Sequence, residues 1–218
     1  MALHIGLLLF PDLTQLDLTG PYEVFHRLPD AKVHLVWKDT TPVRAQGGLH
    51  LVPNMTLAEC PPLDVVCVPG GFGTAALLGD AVVLDWLRAQ AKSARYMTAV
   101  CTGSLVLAKA GLLDGRKAAC HWNYTDLLPR MGAIAEKGRV VVDGDRITGG
   151  GVTAGIDFAL RVAAELCGEQ IAKAIQLGLE YNPAPPFRSG HPDVADAATI
   201  ELVKARLAPS KKAIEGLV

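Results

Sequence analysis

The sequence has no excess of charge of either sign. Among its 218 residues, 21 are Lys or Arg and 22 are Asp or Glu, which gives a formal net charge of −1 at pH 7. Proteins that bind nucleic acid or an anionic membrane surface usually carry a basic patch or a basic overall composition. The balanced charge therefore argues against both of these partners and favours a small, uncharged or mildly polar ligand.

The sequence also lacks a long apolar run and a secretory signal. No apolar segment approaches the roughly 20 residues that are needed to span a bilayer. The N-terminal stretch MALHIGLLLFPDLTQ has no basic region before its apolar run, no small-residue cleavage site, and an acidic residue, Asp12, just after the run. We therefore expect a first β-strand here, no membrane anchor and a cytoplasmic location.

Cysteine is scarce, and its spacing forms no metal or disulfide pattern. The five cysteines are widely separated, with no C-x-x-C pair: Cys60, Cys67, Cys101, Cys120 and Cys167. This spacing predicts neither a disulfide framework nor a zinc site. The glycine-rich segment PGGFGT at 69–74 lacks the G-K-[ST] ending of a phosphate loop and does not match G-x-G-x-x-G. We expect no metal, nucleotide or redox cofactor.

Strand and helix patterns alternate along the chain. Apolar runs of strand length are HIGLLLF, KVHLVWK, LDVVCVPGG and RYMTAV, followed later by KAACHW and RVVVDGDRITGGG. Helical patterns are TGPYEVFHRL, LLGDAVVLDWLRAQAKSA, GSLVLAKAGLL and TAGIDFALRVAAELCG, with a last one, ADAATIELVKARLA, after the proline-rich surface segment 181–193. This alternation indicates a doubly wound α/β sheet. Because no repeat or low-complexity linker interrupts it, we expect one domain over residues 1–218.

Three features directly follow predicted strands, at the edge of an open α/β sheet where ligands bind. They are Asp17 in LTQLDLTGP, the PGG at 69–71, and Cys101. Cys101 follows RYMTAV and precedes the small residues 102–104, which permit a sharp strand-to-helix turn. Such a turn has the mechanics of a nucleophile elbow, in which the reactive atom projects above the sheet. We expect the neighbouring helix N-terminus to lower the pKa of the thiol.

Several of these candidates also have ordinary structural explanations. Free cysteine is a frequent core residue, and Cys67 inside VVCVPG is best explained in that way. Asp17 is either a helix cap or a carboxyl that exchanges a proton with the thiol. His121 in CHW is either a base for Cys101 or a structural hydrogen-bonding residue.

The two glycine-rich turns allow two explanations as well. Because Gly70 and Gly71 have no side chains, their backbone N–H groups can face a reacting atom and stabilise negative charge there. The same argument applies to TGGGVTAG at 148–155, where a simple tight turn is the alternative.

Several segments resemble the ThiJ/PfpI superfamily and, within it, the isocyanide hydratase branch. In chain order they are LLFPDLTQLDLTGPYEVF, CPPLDVVCVPGG, VCTGSLVLAKAGLL, HW, TGGGVTAGIDFAL and LEYNPAPPF, which extend from residue 7 to residue 187. AVCTG and GGGVTAGID are typical of the broader group, whereas QLDLTGP and LEYNPAPPF point to the hydratase branch. The resemblance implies a flavodoxin-like three-layer sandwich with a mostly parallel central sheet. It also implies a homodimer with Cys101 as nucleophile at the elbow.

The resemblance further implies a hydro-lyase activity that adds water to an isocyanide, R–N≡C, and releases an N-substituted formamide. Thiolate Cys101 would add to the terminal carbon, and Asp17 would protonate that carbon to give a thioimidate and then activate water. The Thr102 hydroxyl would help to hold the proton donor, and the N–H groups of Gly71 and Thr102 would stabilise negative charge. By the same resemblance, the oxyanion and substrate contacts are Gly70, Gly71, Gly151 and Val152.

At two positions the sequence differs from other branches of the superfamily, and these differences limit the activities that the resemblance implies. Asp17 stands where many superfamily members carry Glu. Thr102 stands where protease-like and amidotransferase relatives carry His, which argues against peptide hydrolysis by an adjacent Cys–His pair.

Two other functions stay open. One is glyoxalase-like or deglycase chemistry on 2-oxoaldehydes. The other is a ligand or redox sensor without turnover, since an exposed thiol of low pKa oxidises readily. Some relatives fuse this domain to an AraC-type helix-turn-helix. Only about one helix follows the proline-rich segment here, so we expect no DNA-binding module.

Overall fold

The computed structural model describes residues 2–218. Within that range the strands are β1 (Leu3–Leu8), β2 (Ala31–Trp37), β3 (Val43–Arg44), β4 (His50–Leu51), β5 (Met55–Thr56), β6 (Val65–Val68), β7 (Tyr96–Val100), β8 (Lys117–Ala118), β9 (Ile134–Ala135), β10 (Val140–Asp143) and β11 (Arg146–Gly149). The α-helices are α1 (Gln15–Phe25), α2 (Thr74–Leu78), α3 (Ala81–Gln90), α4 (Gly103–Lys109), α5 (Ala154–Cys167), α6 (Glu169–Gly178) and α7 (Ala197–Glu215).

Seven strands form the central sheet, in the order β10-β11-β7-β6-β1-β2-β5. Every pairing in it is parallel except that of β10 with β11. Numbered by their order along the chain, the five strands β2, β1, β6, β7 and β11 follow the flavodoxin-like sequence 2-1-3-4-5. This confirms the predicted α/β class with a mostly parallel sheet.

The helices form two packed groups that flank the sheet. Helix α5 packs against α1 and α6, and α4 packs against α2 and α3. Because both faces of the sheet are covered, β6 is buried along its whole length, as its continuous apolar run predicts. Val83, Leu84 and Leu87 face the core from α3, as their helical spacing predicts.

Several elements differ from the sequence prediction. The short strands β3, β4, β5 and β9 were not predicted, and the helix predicted over 77–94 is divided between α2 and α3. Three further differences concern later parts of the chain. KAACHW forms a strand only at its start, because the Ala119 N–H donates to the Thr148 side chain at 2.8 Å and the chain then enters a 3₁₀ turn. Helix α6 was not predicted, since the glycine stop at Gly168 (φ 87°) is followed at once by a second helix. Helix α7 continues through Pro209 to Glu215, seven residues past the predicted end at Ala208.

The carboxyl ends of four adjacent strands, β11, β7, β6 and β1, lie side by side. They lead into the segments 150–153, 101–102, 69–71 and 9–14. The chain moves from β1 to β2 on one side and later adds β6, β7 and β11 on the other, so the topological switch lies between β1 and β6. The predicted candidate residues therefore lie along one edge of the sheet.

None of the helices in residues 2–218 combines the length and the apolar character that crossing a membrane requires.

Candidate active site

Cys101 lies at a sharp turn between β7 and α4. Its φ is 59°, a left-handed conformation that costs a non-glycine residue roughly 1–2 kcal/mol. The Cys101 N–H donates to the Gly149 carbonyl at 3.1 Å. A Cβ on Gly103 would lie 2.0 Å from the Val68 carbonyl oxygen, so glycine is required where α4 begins against the end of β6. The predicted elbow geometry is confirmed.

Asp17 is fully buried in the first turn of α1. Its Oδ2 accepts a hydrogen bond from the Gly70 N–H at 2.9 Å, across to the loop after β6. The N-cap position of α1 is Thr14, so the helix-cap explanation of Asp17 is wrong. Asp17 Oδ1 is buried without a hydrogen-bond partner among residues 2–218.

Burial shifts the ionisation of Asp17 towards the neutral acid. Its pKa is raised from 3.8 to about 7, mainly by burial, against the opposing effects of the Gly70 N–H and of the nearby Cys101 side chain. A carboxyl with this pKa can hold a proton at neutral pH and also give it up, which is what a general acid–base requires.

The expectation of a lowered thiol pKa at Cys101 is wrong. Burial raises the pKa of this thiol, and the charges of Asp17 and Cys120 raise it further, while the Thr102 N–H lowers it only in part. Cys101 is 5% exposed, and α4 is only seven residues long. The short helix therefore gives less stabilisation to a thiolate than the loss of water and the nearby carboxylate take away.

Cys101 and Asp17 act as one coupled pair. Above the pKa of Asp17, about 7, the pair carries one proton and one negative charge until the raised pKa of the thiol is reached. The proton can reside on sulfur or on the carboxyl without changing that charge. The form with a thiolate and a neutral Asp17 holds a nucleophile and an acid side by side.

The N–H groups of the PGG turn already have partners. Gly70 donates to Asp17, and Gly71 donates to Thr102 Oγ1 at 3.0 Å. Thr102 Oγ1 also lies 2.8 Å from Thr74 Oγ1. The expectation that the Gly70 and Gly71 N–H groups face a reacting atom is therefore wrong, because they hold the side chains of Asp17 and Thr102 in place.

A cavity of about 280 Å³ opens onto Cys101, and apolar atoms make up most of its wall. Its lining residues are Thr14, Gln46, Gly71, Phe72, Cys101, Thr102, His121, Tyr124, Val152, Val203, Arg206 and Leu207. Of the predicted site residues, Gly71, Cys101, Thr102 and Val152 line it. Asp17, Gly70 and Gly151 do not.

A larger cavity of about 700 Å³ shares His121 and Val152 with the first. Gly151 lines this second cavity, next to Val152, which lines both. A Cβ on Gly151 would meet His121 Cδ2 at 3.7 Å, an ordinary contact.

His121 lines both cavities as a neutral side chain. Burial lowers its pKa to about 4, and its Nδ1 accepts a hydrogen bond from the Asn123 N–H at 3.3 Å. Its ring stacks on Trp122 and meets Tyr124 edge-on. This arrangement favours the structural explanation of His121 over that of a base for Cys101.

Sequence reasoning missed the residues that come from distant segments. Gln46 and Phe72 belong to connecting segments, and Val203, Arg206 and Leu207 belong to α7. The spacing of these residues contains no motif. Only the HW segment pointed to a neighbour of the site, at the turn that carries Tyr124.

Across residues 2–218, no three His, Cys, Asp or Glu side chains group in a way that could hold a metal ion.

Comparison with known proteins identifies the family. A protein from Pseudomonas putida named isonitrile hydratase is 59% identical over 212 residues, which cover 97% of this chain and 93% of that protein. The transcriptional regulator GbdR of Pseudomonas aeruginosa is 32% identical over 182 residues, 78% of this chain but 48% of the regulator. The crystal structure of a ThiJ/PfpI family protein from Pseudomonas syringae superposes with a TM-score of 0.97 at 42% identity, covering 100% of this chain and 90% of that one. The model of the DJ-1/PfpI family matches residues 4–165. That match covers well over half of the sequence, and the chain belongs to the DJ-1/PfpI family.

Proposed function

We propose that this protein is an isocyanide hydratase, which adds water to R–N≡C and releases the N-substituted formamide R–NH–CHO. The observation that carries the proposal is the 59% identity, over 97% of the chain, to the isonitrile hydratase of Pseudomonas putida. The fold and the coupled pair of Cys101 and Asp17 supply groups that suit this chemistry.

The first step forms a covalent intermediate. The Cys101 thiolate adds to the terminal carbon of the isocyanide, and the neutral Asp17 carboxyl gives its proton to the same carbon. The product is the thioimidate R–N=CH–S–Cys101, and Asp17 is left as a carboxylate. The raised pKa of Asp17 supports this role, because a carboxyl with an ordinary pKa would have no proton to give at neutral pH.

The second step hydrolyses that intermediate. The Asp17 carboxylate takes a proton from water as the hydroxyl adds to the carbon, and it passes the proton to the substrate nitrogen. It then takes the hydroxyl proton as the carbonyl forms and the carbon–sulfur bond breaks. The formamide leaves, and the thiolate with the neutral carboxyl is restored.

Thr102 holds the pair in position and supplies one charge-stabilising donor. Its hydroxyl is fixed by Gly71 and Thr74, and its N–H points to the Cys101 sulfur. The apolar wall of the cavity suits a substrate whose polar end is small. The reaction adds and removes only protons and water, so it requires no cofactor.

We also propose that the protein acts as a homodimer in the cytoplasm, as the family resemblance implies. Light scattering after size-exclusion chromatography measures the assembly, and a monomer at working concentration would contradict this part.

The decisive experiment measures formamide release from p-nitrophenyl isocyanide. We expect activity in the wild type, none above background in Cys101→Ala, and a fall of about 100-fold or more in Asp17→Asn. Cys167→Ala is the matched control, because Cys167 is a half-exposed thiol at the end of α5. It should retain full activity. Intact-protein mass spectrometry of the wild type, quenched with acid during turnover, should show a thioimidate adduct that is absent from Cys101→Ala.

The same preparations separate this function from its alternatives. Consumption of methylglyoxal without turnover of an isocyanide would contradict the hydratase proposal and favour the glyoxalase-like one. A protein that turns over neither substrate but is oxidised at Cys101 by peroxide would favour a sensor.

A further inference from the structure

Arg206 is the one charged residue in the wall of the cavity that contains Cys101, within the described chain. It comes from α7, and its side chain is exposed. The other residues of the wall are apolar or neutral, and His121 is neutral because burial lowers its pKa to about 4. The mostly apolar wall of the cavity that contains Cys101 thus includes a single cation, and its side chain is exposed to solvent.

Arg206 also lacks an acidic partner. On α7, Lys204 pairs with Glu201 at 2.8 Å and Lys211 pairs with Asp126 at 2.9 Å, whereas neither Arg206 nor Lys212 forms an ion pair among residues 2–218. Among residues 2–218, no carboxylate lies within 4 Å of the Arg206 guanidinium. A neutral ligand that covers this cation would remove its water without a compensating interaction, which costs free energy. An anionic ligand would replace that water with a charged partner.

The charged features of the cavity wall have opposite signs and different exposure. Cys101 is 5% exposed and shares one negative charge with Asp17 above about pH 7. The Arg206 side chain is exposed to solvent. A substrate with a neutral isocyano group at one end and an anionic group at the other would therefore enter with the isocyano group towards sulfur. The reverse orientation would place two negative charges together.

We propose that the cavity selects isocyanides that carry a carboxylate at the end opposite the N≡C group, with Arg206 as the specificity-determining residue. This inference rests on the proposed hydratase function and names its substrate class. The planar guanidinium suits a carboxylate because it can donate two parallel hydrogen bonds.

The test compares 4-isocyanobenzoate with its methyl ester, a pair that differs in charge and little in shape. The kcat/KM ratio of acid to ester is measured for the wild type, Arg206→Gln and Lys204→Gln. Lys204→Gln is the matched control, because this lysine lies on the same helix outside the cavity wall. Comparing the ratio between variants removes the intrinsic difference in reactivity between the two probes.

We expect the acid-to-ester ratio to fall by up to about fivefold in Arg206→Gln, mainly through KM, and to stay at the wild-type value in Lys204→Gln. Arg206→Lys should restore part of the preference, and added salt should weaken it in the wild type. Calorimetric binding of 4-formamidobenzoate and its methyl ester to Cys101→Ser gives a readout without turnover, and Arg206→Gln should weaken binding of the acid alone.

An equal ratio in the wild type and Arg206→Gln, together with unchanged binding of 4-formamidobenzoate, would overturn the Arg206 proposal. If the ester is still hydrated, the hydratase function stands. If the wild type hydrates neither probe nor p-nitrophenyl isocyanide, the hydratase function fails, and the substrate class fails with it.

Discussion

Asp17 and Cys101 place two ionisable groups in a site that disfavours charge on either one. Burial raises the pKa of both, so the pair accommodates one negative charge and retains one proton. In the proposed mechanism such a pair needs no histidine to deliver a thiolate, because the carboxyl takes the thiol proton and returns it to the substrate carbon. The proposal is therefore compatible with Thr102, and not a histidine, beside Cys101.

The pH dependence of kcat/KM follows from this charge state. The reactive form has lost one proton, so kcat/KM for an isocyanide should rise about tenfold per pH unit below the Asp17 pKa and level off above about 7. In Asp17→Asn the rise should move to higher pH, because the thiol must then ionise alone. Steady-state rates from pH 5 to 9 measure both profiles, and a wild-type profile that falls across pH 6–8 would contradict this assignment.

Asp17 should also lower the stability of the fold as pH rises. Its pKa is raised from 3.8 to about 7 in the folded protein, so between these values the folded state retains a proton that the unfolded chain has lost. Stability therefore decreases across this window, and the whole shift corresponds to about 4 kcal/mol. Replacing the carboxyl by the amide in Asp17→Asn removes this loss, although a buried amide without a full set of partners would offset part of the gain.

We accordingly expect Asp17→Asn to be more stable than the wild type by about 1–3 kcal/mol at pH 8, and to show little or no advantage at pH 4. Urea unfolding at the two pH values measures the difference. Asp85→Asn, an exposed carboxylate paired with Arg88, is the control and should change stability by less than about 1 kcal/mol at both.

Glycine is required where the elements of the site pack together, because their backbones and polar side chains leave no room for a Cβ. A Cβ on Gly70 would lie 2.6 Å from the Thr102 N and Oγ1 atoms and 2.9 Å from Asp17 Oδ2. None of these atoms can easily move, since they belong to the backbone of the elbow or to buried hydrogen-bonded side chains. The PGG turn, which follows β6, thus contacts both α1, through Asp17, and the start of α4, through Thr102.

Gly70→Ala should therefore disturb stability and activity together. We expect a loss of about 1–3 kcal/mol in the free energy of unfolding and a fall of more than tenfold in kcat, because Asp17 and Thr102 would be displaced from Cys101. Gly178→Ala is the control, since a Cβ at Gly178 would meet nothing within 4 Å. Wild-type stability and activity in Gly70→Ala would show that the turn has more room than its contacts indicate.

At the scale of the whole molecule, one continuous core joins the two ends of the described chain. The same apolar cluster contains Ile5 of β1 and Ile214 of α7, both with no exposed surface. The second half of α7 is further held by the ion pair of Lys211 with Asp126. Helix α7, which closes one side of the cavity, is therefore part of the main packing unit.

The expectation of one domain over residues 1–218 can be tested on this basis. We expect thermal unfolding to be a single cooperative transition, with the same midpoint by far-UV circular dichroism and by tryptophan fluorescence. Ile214→Ala should lower that midpoint, with a loss of about 2–5 kcal/mol, and leave a single transition. Two separate transitions would show that α7 or another part unfolds independently.

The sequence by itself determined the features that depend on neighbouring residues. The alternation of apolar strands and amphipathic helices predicted the α/β class, and the step from RYMTAV to small residues predicted the turn at Cys101. The end of KAACHW, helix α6 and the length of α7 were not predicted. Their bounds depend on tertiary contacts and on a helix that restarts directly after a glycine stop.

Only the tertiary structure decided the electrostatics and the boundaries of the site. Burial reversed the expected pKa shift of Cys101, and the N–H groups of Gly70 and Gly71 proved to hold Asp17 and Thr102. The cation in the cavity wall comes from α7, about 100 residues after Cys101 in the sequence. Desolvation, hydrogen-bond partners and cavity walls arise between segments that are distant in sequence, so no local pattern of residues records them.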